Sequence, residues 1–239
     1  MSETRTGAYA RATARSLEEG GPAQPRYRRY QFELVSAHCG RSVLVVGAGL
    51  GEFAARFDGL HRLVLSDVDP LAVEALSRRF AGRADVETLI LDLDDEPSIG
   101  QPVETAIAIN VLEHIEDDVG ALTSLSRLVR PGGSLVLWVP AFQALYGDFD
   151  RKVGHFRRYS PESLRQVVQE VGLEVEVCRP INFFGGLAWW LAVRKGRAGS
   201  PRPGMVRLYD RFVVPGSRFV DQRMAPPFGQ SVFCIARAH

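Results

Sequence analysis

Short runs of apolar residues alternate along the chain with segments in which apolar residues recur every three or four positions. The first run, SVLVVG at 42–47, is apolar almost throughout and ends in glycine, which is typical of a strand buried on both faces of a parallel sheet. Similar runs follow at 61–67, 86–92, 103–110 and 134–140. Because helical segments separate most of these runs, the pattern predicts βαβ units around a mainly parallel sheet.

Four segments with helical spacing of apolar residues accompany these strands. They cover 51–57, 71–80, 117–129 and 161–171. Asp69 and Ser160 each stand one residue before a proline, where a helix N-cap is expected, and Gly172 is placed to end the last helix. The capping residues therefore agree with the periodicity.

The regular pattern stops after the fifth strand, where a loop is predicted up to Tyr159. Two later apolar stretches, at 173–180 and 231–238, predict the last strands. Between them, residues 181–230 are rich in proline, glycine and aromatic residues, and connections of that length are usually binding segments or lids. We therefore predict a lid insertion at 181–230.

Length and composition are those of one ordinary globular domain. The chain has 239 residues, of which 46% are hydrophobic and 24% are charged, so it can bury a sizeable core. Residues 1–24 are largely polar, and we predict that they form a flexible segment before a single domain at 25–239.

Charge, cysteine content and hydropathy exclude several classes of function. The formal net charge of +1 lacks the strongly basic balance of nucleic-acid-binding domains, so no nucleic-acid partner is predicted. Three scattered cysteines provide neither a disulfide framework nor a zinc site, and no metal is predicted. The longest apolar stretch, at 183–193, is about half of the ~20 residues that span a bilayer. Since the amino terminus also lacks a signal-peptide core, we expect a cytoplasmic protein without a membrane span.

The clearest functional motif is the segment VLVVGAGLGEF at 43–53, where a predicted strand runs into three alternate glycines. Glycine allows the backbone to turn sharply and to approach a nucleotide-like ligand, because a Cβ would block that approach. Nicotinamide dehydrogenases have glycine or alanine at the sixth motif position, where this chain has Glu52. The spacing therefore favours an adenosine ligand without a pyrophosphate.

Five motifs in sequence order resemble those of the class I S-adenosylmethionine-dependent methyltransferases. They are GAGLG, LSDVD, LDLDD, INVLEHIEDD and LVRPGGSLVLWVP, and the segment DRKVGHFRRYSPESL is similar to a branch with small-molecule acceptors. The resemblance implies a Rossmann-like, doubly wound α/β fold. Its seven-stranded sheet is expected to be mostly parallel, with an antiparallel last strand.

The resemblance also implies where S-adenosylmethionine, and its product S-adenosylhomocysteine, would bind. Asp67 is expected to accept the ribose hydroxyls and Asp92 the adenine amino group. The expected cofactor-binding residues are Gly47, Ala48, Gly49, Asp67, Val68, Asp92, Leu93 and Asn110. They converge at the switch point of the sheet, where α/β folds bind ligands.

One position departs from the family's pattern. The family commonly has an acidic residue two positions before the first glycine, where it helps to hold the ligand's ammonium group, and this chain has Val45. Two alternatives therefore stay open. One is a methyltransferase-fold enzyme with non-methylating chemistry, such as a cyclase or isomerase, and the other is a regulatory protein with a degenerate cofactor pocket.

Two histidines are candidates for a general base. A base is useful where the acceptor must lose a proton early, as an alcohol must, and histidine titrates near neutral pH. His114 follows the fourth strand and His155 follows the fifth. Each has a structural alternative, because His114 can orient the next helix and His155 can anchor its loop.

Candidates for binding the acceptor are Tyr146, Arg158 and Phe183, although Arg158 can equally bond carbonyl groups at the end of the sheet. Aromatic residues of the insertion suit an apolar acceptor or a homodimer surface. Before the first strand, Tyr27 or Arg28 can contact the cofactor's carboxylate. We therefore expect a methyltransferase of bacterial secondary metabolism that acts on a small molecule, with oxygen as the first choice of acceptor atom.

Overall fold

The computed structural model describes residues 24–95, 97–194 and 203–239. Its strands are β1 Ser42–Val46, β2 Arg62–Asp67, β3 Val86–Ile90, β4 Val103–Ile109, β5 Val129–Pro140, β6 Glu174–Ile181 and β7 Ser231–Arg237. Its helices are α1 Pro25–Ser36, α2 Pro70–Arg79, α3 Asp118–Arg127, α4 Asp148–Val153, α5 Pro161–Glu170, α6 Phe183–Arg194, α7 Pro203–Leu208 and α8 Val214–Arg223. The predicted flexible segment at 1–24 lies, apart from Gln24, outside the described residues.

The strands form one seven-stranded sheet in the order β3-β2-β1-β4-β5-β7-β6. β7 pairs antiparallel with β5 and β6, and all other neighbouring strands are parallel. From β1 the chain builds outward to β3, and it then returns to place β4 on the other side of β1. The order therefore reverses between β1 and β4, which makes this the switch point of the sheet. The predicted fold class is confirmed.

Helices cover both faces of the sheet, and alternate residues of each central strand enter different cores. Leu44 and Val46 of β1 join the core that contains α3 and α5. Val43 and Val45 join the core that contains α1 and α2. Because both faces are buried, the central strands are apolar at nearly every position, and this explains their continuous apolar runs.

The helix predicted at 51–57 is wrong. Only a single 3₁₀ turn forms there, at Ala54–Arg56. Gly51 has a left-handed φ of +74°, and Phe57 has already returned to extended backbone, so only one turn fits between them. The predicted loop after β5 also differs, because it contains the short helix α4.

The insertion at 181–230 includes three helices among its described residues, and α8 and the π-helical turn before it contact α1. Asp210 accepts hydrogen bonds from the backbone N–H groups of Arg26 (3.2 Å) and Tyr27 (2.9 Å). A carboxylate at a helix amino terminus is favourable, so Asp210 stabilises the start of α1. Asp221 accepts a further bond of 2.6 Å from the Tyr30 hydroxyl. No helix within the described ranges has the length and apolarity to cross a membrane.

Candidate active site

Glycines with left-handed backbone carry the chain from β1 into the crevice at the switch point. Gly47 and Gly49 have φ values of +64° and +55°. A Cβ at Gly47 would lie 2.7 Å from the Val111 side chain, whereas a Cβ at Gly49 would meet no atom within 4 Å. The backbone at Gly49 therefore borders open space that a ligand can approach closely.

Asp67 ends β2 and is almost fully buried beside this turn. Its Oδ2 accepts a hydrogen bond of 2.9 Å from the Gly49 amide, and its Oδ1 accepts one of 3.0 Å from the Asp69 amide. Burial raises the pKa of Asp67, although the backbone hydrogen bonds act in the opposite direction. A carboxylate has about four acceptor sites. Asp67 can therefore hold the turn and still accept ligand hydroxyls.

A cavity of about 280 Å³ lies at the end of β3, and Val68 and Asp92 both line it. The Asp92 carboxylate accepts a hydrogen bond of 3.1 Å from the Asp94 amide, which orders the turn after the strand. The Leu93 side chain is buried in the core, so any ligand contact of Leu93 would involve its backbone amide. The structure thus brings Val68 and Asp92 to one cavity next to Asp67.

The carboxyl end of β4 forms the other side of the crevice. Asn110 is exposed there, with a left-handed φ of +52°, and its amide donates to the Trp138 carbonyl of β5 at 2.8 Å. Its neighbour Val111 abuts Gly47, as described above, so the ends of β1 and β4 meet. Val45 is buried in the core of the sheet and supplies no carboxylate at this point.

The helix α1 is fixed to the glycine-rich turn. Arg28 forms an ion pair with Glu52, which directly follows the motif glycines. The Phe32 ring packs edge-on against Phe53, with 5.6 Å between ring centroids. Tyr27 instead points into the core, where its ring centroid lies 6.2 Å from that of Trp138. Of the two α1 residues expected near the cofactor, only Arg28 lies at the turn.

A second group of polar residues lies after β4 and β5, and we call it the histidine cluster: Glu113, His114, Asp150, His155 and Arg158. Asp150 is fully buried and accepts hydrogen bonds from His155 Nδ1 at 2.7 Å and from Arg158 Nε at 2.8 Å. Although burial opposes it, these bonds hold the pKa of Asp150 below its usual value. With Nδ1 held by a carboxylate, His155 presents Nε2 as its proton-accepting atom.

His155 Nε2 faces two further members of the histidine cluster. The His114 ring lies 4.6 Å away, centroid to centroid, and Glu113 Oε1 lies 3.9 Å from Nε2. Burial, together with the nearby His155, lowers the pKa of His114 to about 4, so His114 is neutral at physiological pH. The two expected catalytic histidines are therefore brought together.

The three residues expected to bind the acceptor are divided between two places. Tyr146 donates its hydroxyl hydrogen bond to the His155 carbonyl at 2.7 Å, so it supports the cluster's loop. Arg158 is buried against Asp150, and its guanidinium lies 5.3 Å from the Trp189 ring centroid. Phe183 begins α6 in the insertion, where it packs on Phe184. Arg158 Nη1 also donates to the Ala141 carbonyl at 3.4 Å. This contact agrees with the alternative that Arg158 bonds carbonyl groups at the end of the sheet.

Comparison with known families identifies the central part of this sheet. The sequence model of a family described as a methyltransferase domain matches residues 44–135, from β1 into β5. Residues 44–135 form a methyltransferase domain, and this match supports a class I S-adenosylmethionine-dependent methyltransferase family. The motifs that follow the first four strands of this methyltransferase sheet all end at the crevice described above.

Relatives of known sequence or structure are distant. An uncharacterized 37.1 kDa protein in transposon TN4556 of Streptomyces fradiae is 25% identical over 86% of this chain and 64% of its own length. The chain spans only 32–64% of the length of the curated relatives that it matches.

Two solved structures share the fold of this methyltransferase domain. Geranyl diphosphate C-methyltransferase from Streptomyces coelicolor, solved with Mg²⁺, geranyl diphosphate and S-adenosyl-L-homocysteine, is 17% identical, with a TM-score of 0.61 over 92% of this chain and 85% of that one. The [4+2]-cyclase SpnF is 20% identical, with a TM-score of 0.59 over 88% of this chain and 80% of that one. At these identities the likeness concerns the fold alone.

Asp150 and Glu113 are the residues of the histidine cluster that the sequence analysis missed. Asp150 lies in α4, where a loop was predicted, and its partners become clear only once that helix folds back on His155. Glu113 directly precedes His114 in the LEH segment. The available signals were an acidic residue directly before His114 and another five positions before His155, and such residues are common on solvated surfaces.

The cluster also contains the ligand types that bind divalent metal ions. Glu113, His114 and His155 offer donor atoms that all lie within 4.8 Å of one another. Carboxylate and imidazole suit zinc, manganese or iron, and the Asp150–His155 bond is the kind of contact that orients a histidine ligand. The prediction that no metal is used therefore needs a direct test.

We expect Glu113→Gln to stabilise the protein. Glu113 is fully buried, and neither of its oxygens has a hydrogen-bond partner within the described residues. Burial raises the pKa of Glu113 from 4.5 to about 8. Between these values the unfolded chain is ionised while the folded one keeps its proton, so wild-type stability falls as the pH rises. The variant should gain about 1–3 kcal/mol in unfolding free energy near the top of this window and little at its bottom.

Urea unfolding at several pH values, with a chelator present, measures this gain. Glu74→Gln, an exchange of an exposed glutamate on α2, is the matched control and should leave the pH dependence unchanged. A stability difference that stays constant across the pH window would contradict the buried-carboxyl explanation.

Proposed function

We propose that the chain binds S-adenosylmethionine across the carboxyl ends of β1 to β4 and transfers its methyl group to a small-molecule acceptor. The observation that carries this proposal is the contact between Asp67 and the Gly49 amide, at a glycine whose open side faces the crevice. A carboxylate next to bare backbone suits a ribose, and the adjoining cavity at Val68 and Asp92 suits an adenine ring.

The proposed cofactor contacts follow from these positions. Gly47, Ala48 and Gly49 would pack along the methionine and ribose parts, and the Asp67 carboxylate would accept both ribose hydroxyls. The adenine would contact Val68, Asp92 and the Leu93 amide, and Asn110 would lie near the methionine moiety. When bound, S-adenosylmethionine supplies an electrophilic methyl group on a sulfonium centre, so the protein mainly has to position the acceptor.

We propose that the acceptor atom is an oxygen and that His155 accepts its proton. The Asp150 carboxylate holds the His155 ring and would stabilise the imidazolium that forms, in the manner of a histidine–aspartate pair. Phe149 and Trp189 lie next to the cluster, with 5.3 Å between their ring centroids, and they would provide an apolar wall for the acceptor.

A small-molecule acceptor agrees with one of the structural neighbours. The streptomycete geranyl diphosphate enzyme acts on a small molecule, as its name states, and this supports an acceptor from bacterial secondary metabolism. In this proposal residues 25–239 form one domain, and residues 181–230 are an insertion that closes the acceptor side.

A metal-assisted form of the same reaction is the second candidate. It is favoured by the buried Glu113 carboxylate, whose oxygens have no hydrogen-bond partner among the described residues, and by the donor atoms of His114 and His155. Those three residues would hold a divalent ion, which lowers the pKa of a hydroxyl bound to it. Dialysis against a chelator, followed by addition of zinc or manganese, distinguishes the two forms, because only the metal-assisted one loses activity and regains it.

Calorimetric titration with S-adenosylmethionine and S-adenosylhomocysteine tests the binding step. Saturable binding of both supports the proposal, and failure of both to bind would leave the degenerate regulatory protein. Screening of phenols, alcohols and amines with a labelled methyl donor tests the reaction. Binding without transfer to any acceptor would favour the cyclase or isomerase alternative, which SpnF, a cyclase with this fold, keeps open.

A further inference from the structure

We propose that the outer face of the helical segment 203–223 binds an anionic lipid surface. This segment comprises α7, a π-helical turn and α8, and it belongs to the insertion between β6 and β7. We call its exposed side the insertion face, defined by Leu208, Phe212 and Phe219 with Arg207, Arg211 and Arg223.

Large apolar side chains protrude from the insertion face. Leu208, Phe212 and Phe219 are 61%, 63% and 57% exposed. They follow one another at intervals of four and seven residues, which correspond to about one and two helical turns, so they form a single stripe. Isolated exposed apolar residues are ordinary, but a stripe of two phenylalanines and a leucine marks an interaction surface.

A second stripe adjoins the first. Phe184, Leu187 and Leu191 of α6 are each exposed, at the spacing of one helix face. A Cβ built on Gly216 of α8 would lie 3.3 Å from two carbons of the Phe184 ring, so the two helices are in close contact at that point. The exposed apolar surface therefore extends from α8 onto α6.

Arginines are interleaved with the apolar residues. The Arg211 guanidinium carbon lies 5.5 Å from the Phe212 ring centroid, and that of Arg223 lies 3.6 Å from the Phe219 centroid. Cationic groups and aromatic rings therefore share the insertion face. Arginine can bond a phosphate while its aliphatic stem and the neighbouring ring enter the acyl boundary, which is the behaviour of interfacial amphipathic helices.

The acidic residues of the segment point away from this face. Asp210 and Asp221 are the only acidic residues at 203–223, and both are buried in contacts with α1 that were described above. Arg218 is paired with Glu33 of α1 at 2.8 Å and is left out of the face for that reason. The charge that the segment presents outward is therefore positive.

The sequence around the segment adds to this charge. Residues 183–230 contain eight basic and two acidic residues, in a chain whose formal net charge is only +1. A local excess of arginine combined with exposed phenylalanine complements a bilayer that carries phosphate groups, because both kinds of side chain then find a partner. A second copy of this chain would instead bring the same positive charges together.

Flotation with lipid vesicles tests the proposal on the full chain. Vesicles of phosphatidylcholine mixed with phosphatidylglycerol should bind the protein at least about tenfold more strongly than vesicles of phosphatidylcholine alone, because several arginines act together. Binding to the anionic vesicles should weaken as salt is added. Equal binding to both kinds of vesicle, or binding to neither, overturns the proposal.

Two double variants separate the apolar and the cationic contributions. Phe212→Ser with Phe219→Ser should lower vesicle binding by about tenfold or more, and Arg207→Gln with Arg211→Gln should remove most of the preference for anionic lipid. The matched control is Leu71→Ser with Arg78→Gln, which alters one exposed apolar and one exposed basic residue on α2 and should change neither property.

Light scattering during size-exclusion chromatography tests whether a second copy of this chain, and not a lipid surface, contacts the insertion face. A dimer that Phe212→Ser with Phe219→Ser converts to a monomer would assign the insertion face to contact between copies and would overturn lipid binding. Neither experiment uses cofactor or acceptor, so a negative result leaves the proposed methyl transfer untouched, and a failure of methyl transfer leaves the vesicle result valid.

Discussion

Replacement of His155 by glutamine should lower the rate of methyl transfer to an oxygen acceptor by about 100-fold or more, which is the usual contribution of a general base. The dissociation constant for S-adenosylmethionine should stay unchanged, because the His155 ring lies among the residues after β4 and β5 and not at the glycine-rich turn. The rate is measured by label transfer at saturating cofactor, with the acceptor that the screen identifies.

The expected size of the effect depends on how His155 is held. Its Nδ1 lies 2.7 Å from the buried Asp150 carboxylate, which is itself fixed by Arg158. This arrangement selects the tautomer with a proton on Nδ1 and leaves Nε2 as the acceptor. Asp150→Asn should therefore also slow the reaction, because the amide can bond the wrong tautomer, while the cofactor affinity stays unchanged.

His61→Gln is the control for His155→Gln, since His61 is an exposed histidine directly before β2. Thermal unfolding of each variant establishes that the rate loss does not come from unfolding. An unaltered rate in His155→Gln would remove His155 from the chemistry. If added zinc or manganese restores activity to the chelator-treated wild type but not to His155→Gln, the cluster binds a metal instead.

The central sheet and the cofactor crevice could be predicted because their signals are local in sequence. A parallel strand that is buried on both faces is apolar at nearly every position, as β1 is, and the alternating glycines of the following turn need a left-handed backbone. Asp67 follows at the end of the next strand. Each signal lies within a few residues of the structure that it predicts.

The histidine cluster and the insertion could not be predicted to the same depth because their contacts join distant segments. Asp150 meets His155 only when α4 folds, and Asp210 caps α1 from a position 184 residues away from Arg26. The helix at 51–57 was predicted wrongly for the same reason, because contacts with a distant segment decide the local structure there. Its apolar spacing suited a helix, but Gly51 has a left-handed backbone and packs against Phe80 and Leu76, where a Cβ would lie 2.6 and 2.8 Å from their side chains.

Asp67→Ala should weaken S-adenosylmethionine binding by more than about tenfold. A hydrogen bond to a charged group contributes about 1.5–3 kcal/mol, and the carboxylate is proposed to accept two ribose hydroxyls. The change also removes the hydrogen bond from the Gly49 amide, which holds the glycine-rich turn beside the crevice. Both effects reduce affinity, so the dissociation constant from calorimetry should rise for S-adenosylhomocysteine to a similar extent.

Asp67→Asn separates these two effects. The amide oxygen can still accept the Gly49 hydrogen bond, so the turn is kept. The amide nitrogen cannot accept the bond from the Asp69 amide, and the bonds to the ribose lose their charge and become weaker. Its affinity should therefore fall between those of the wild type and Asp67→Ala, while its thermal stability falls below the wild type because the buried Asp69 amide loses its acceptor. Asp58→Ala, which removes an exposed carboxylate that also bonds a glycine amide, is the matched control. If both Asp67 variants bind the cofactor as the wild type does, the ribose lies elsewhere and the crevice at the switch point is not the cofactor site.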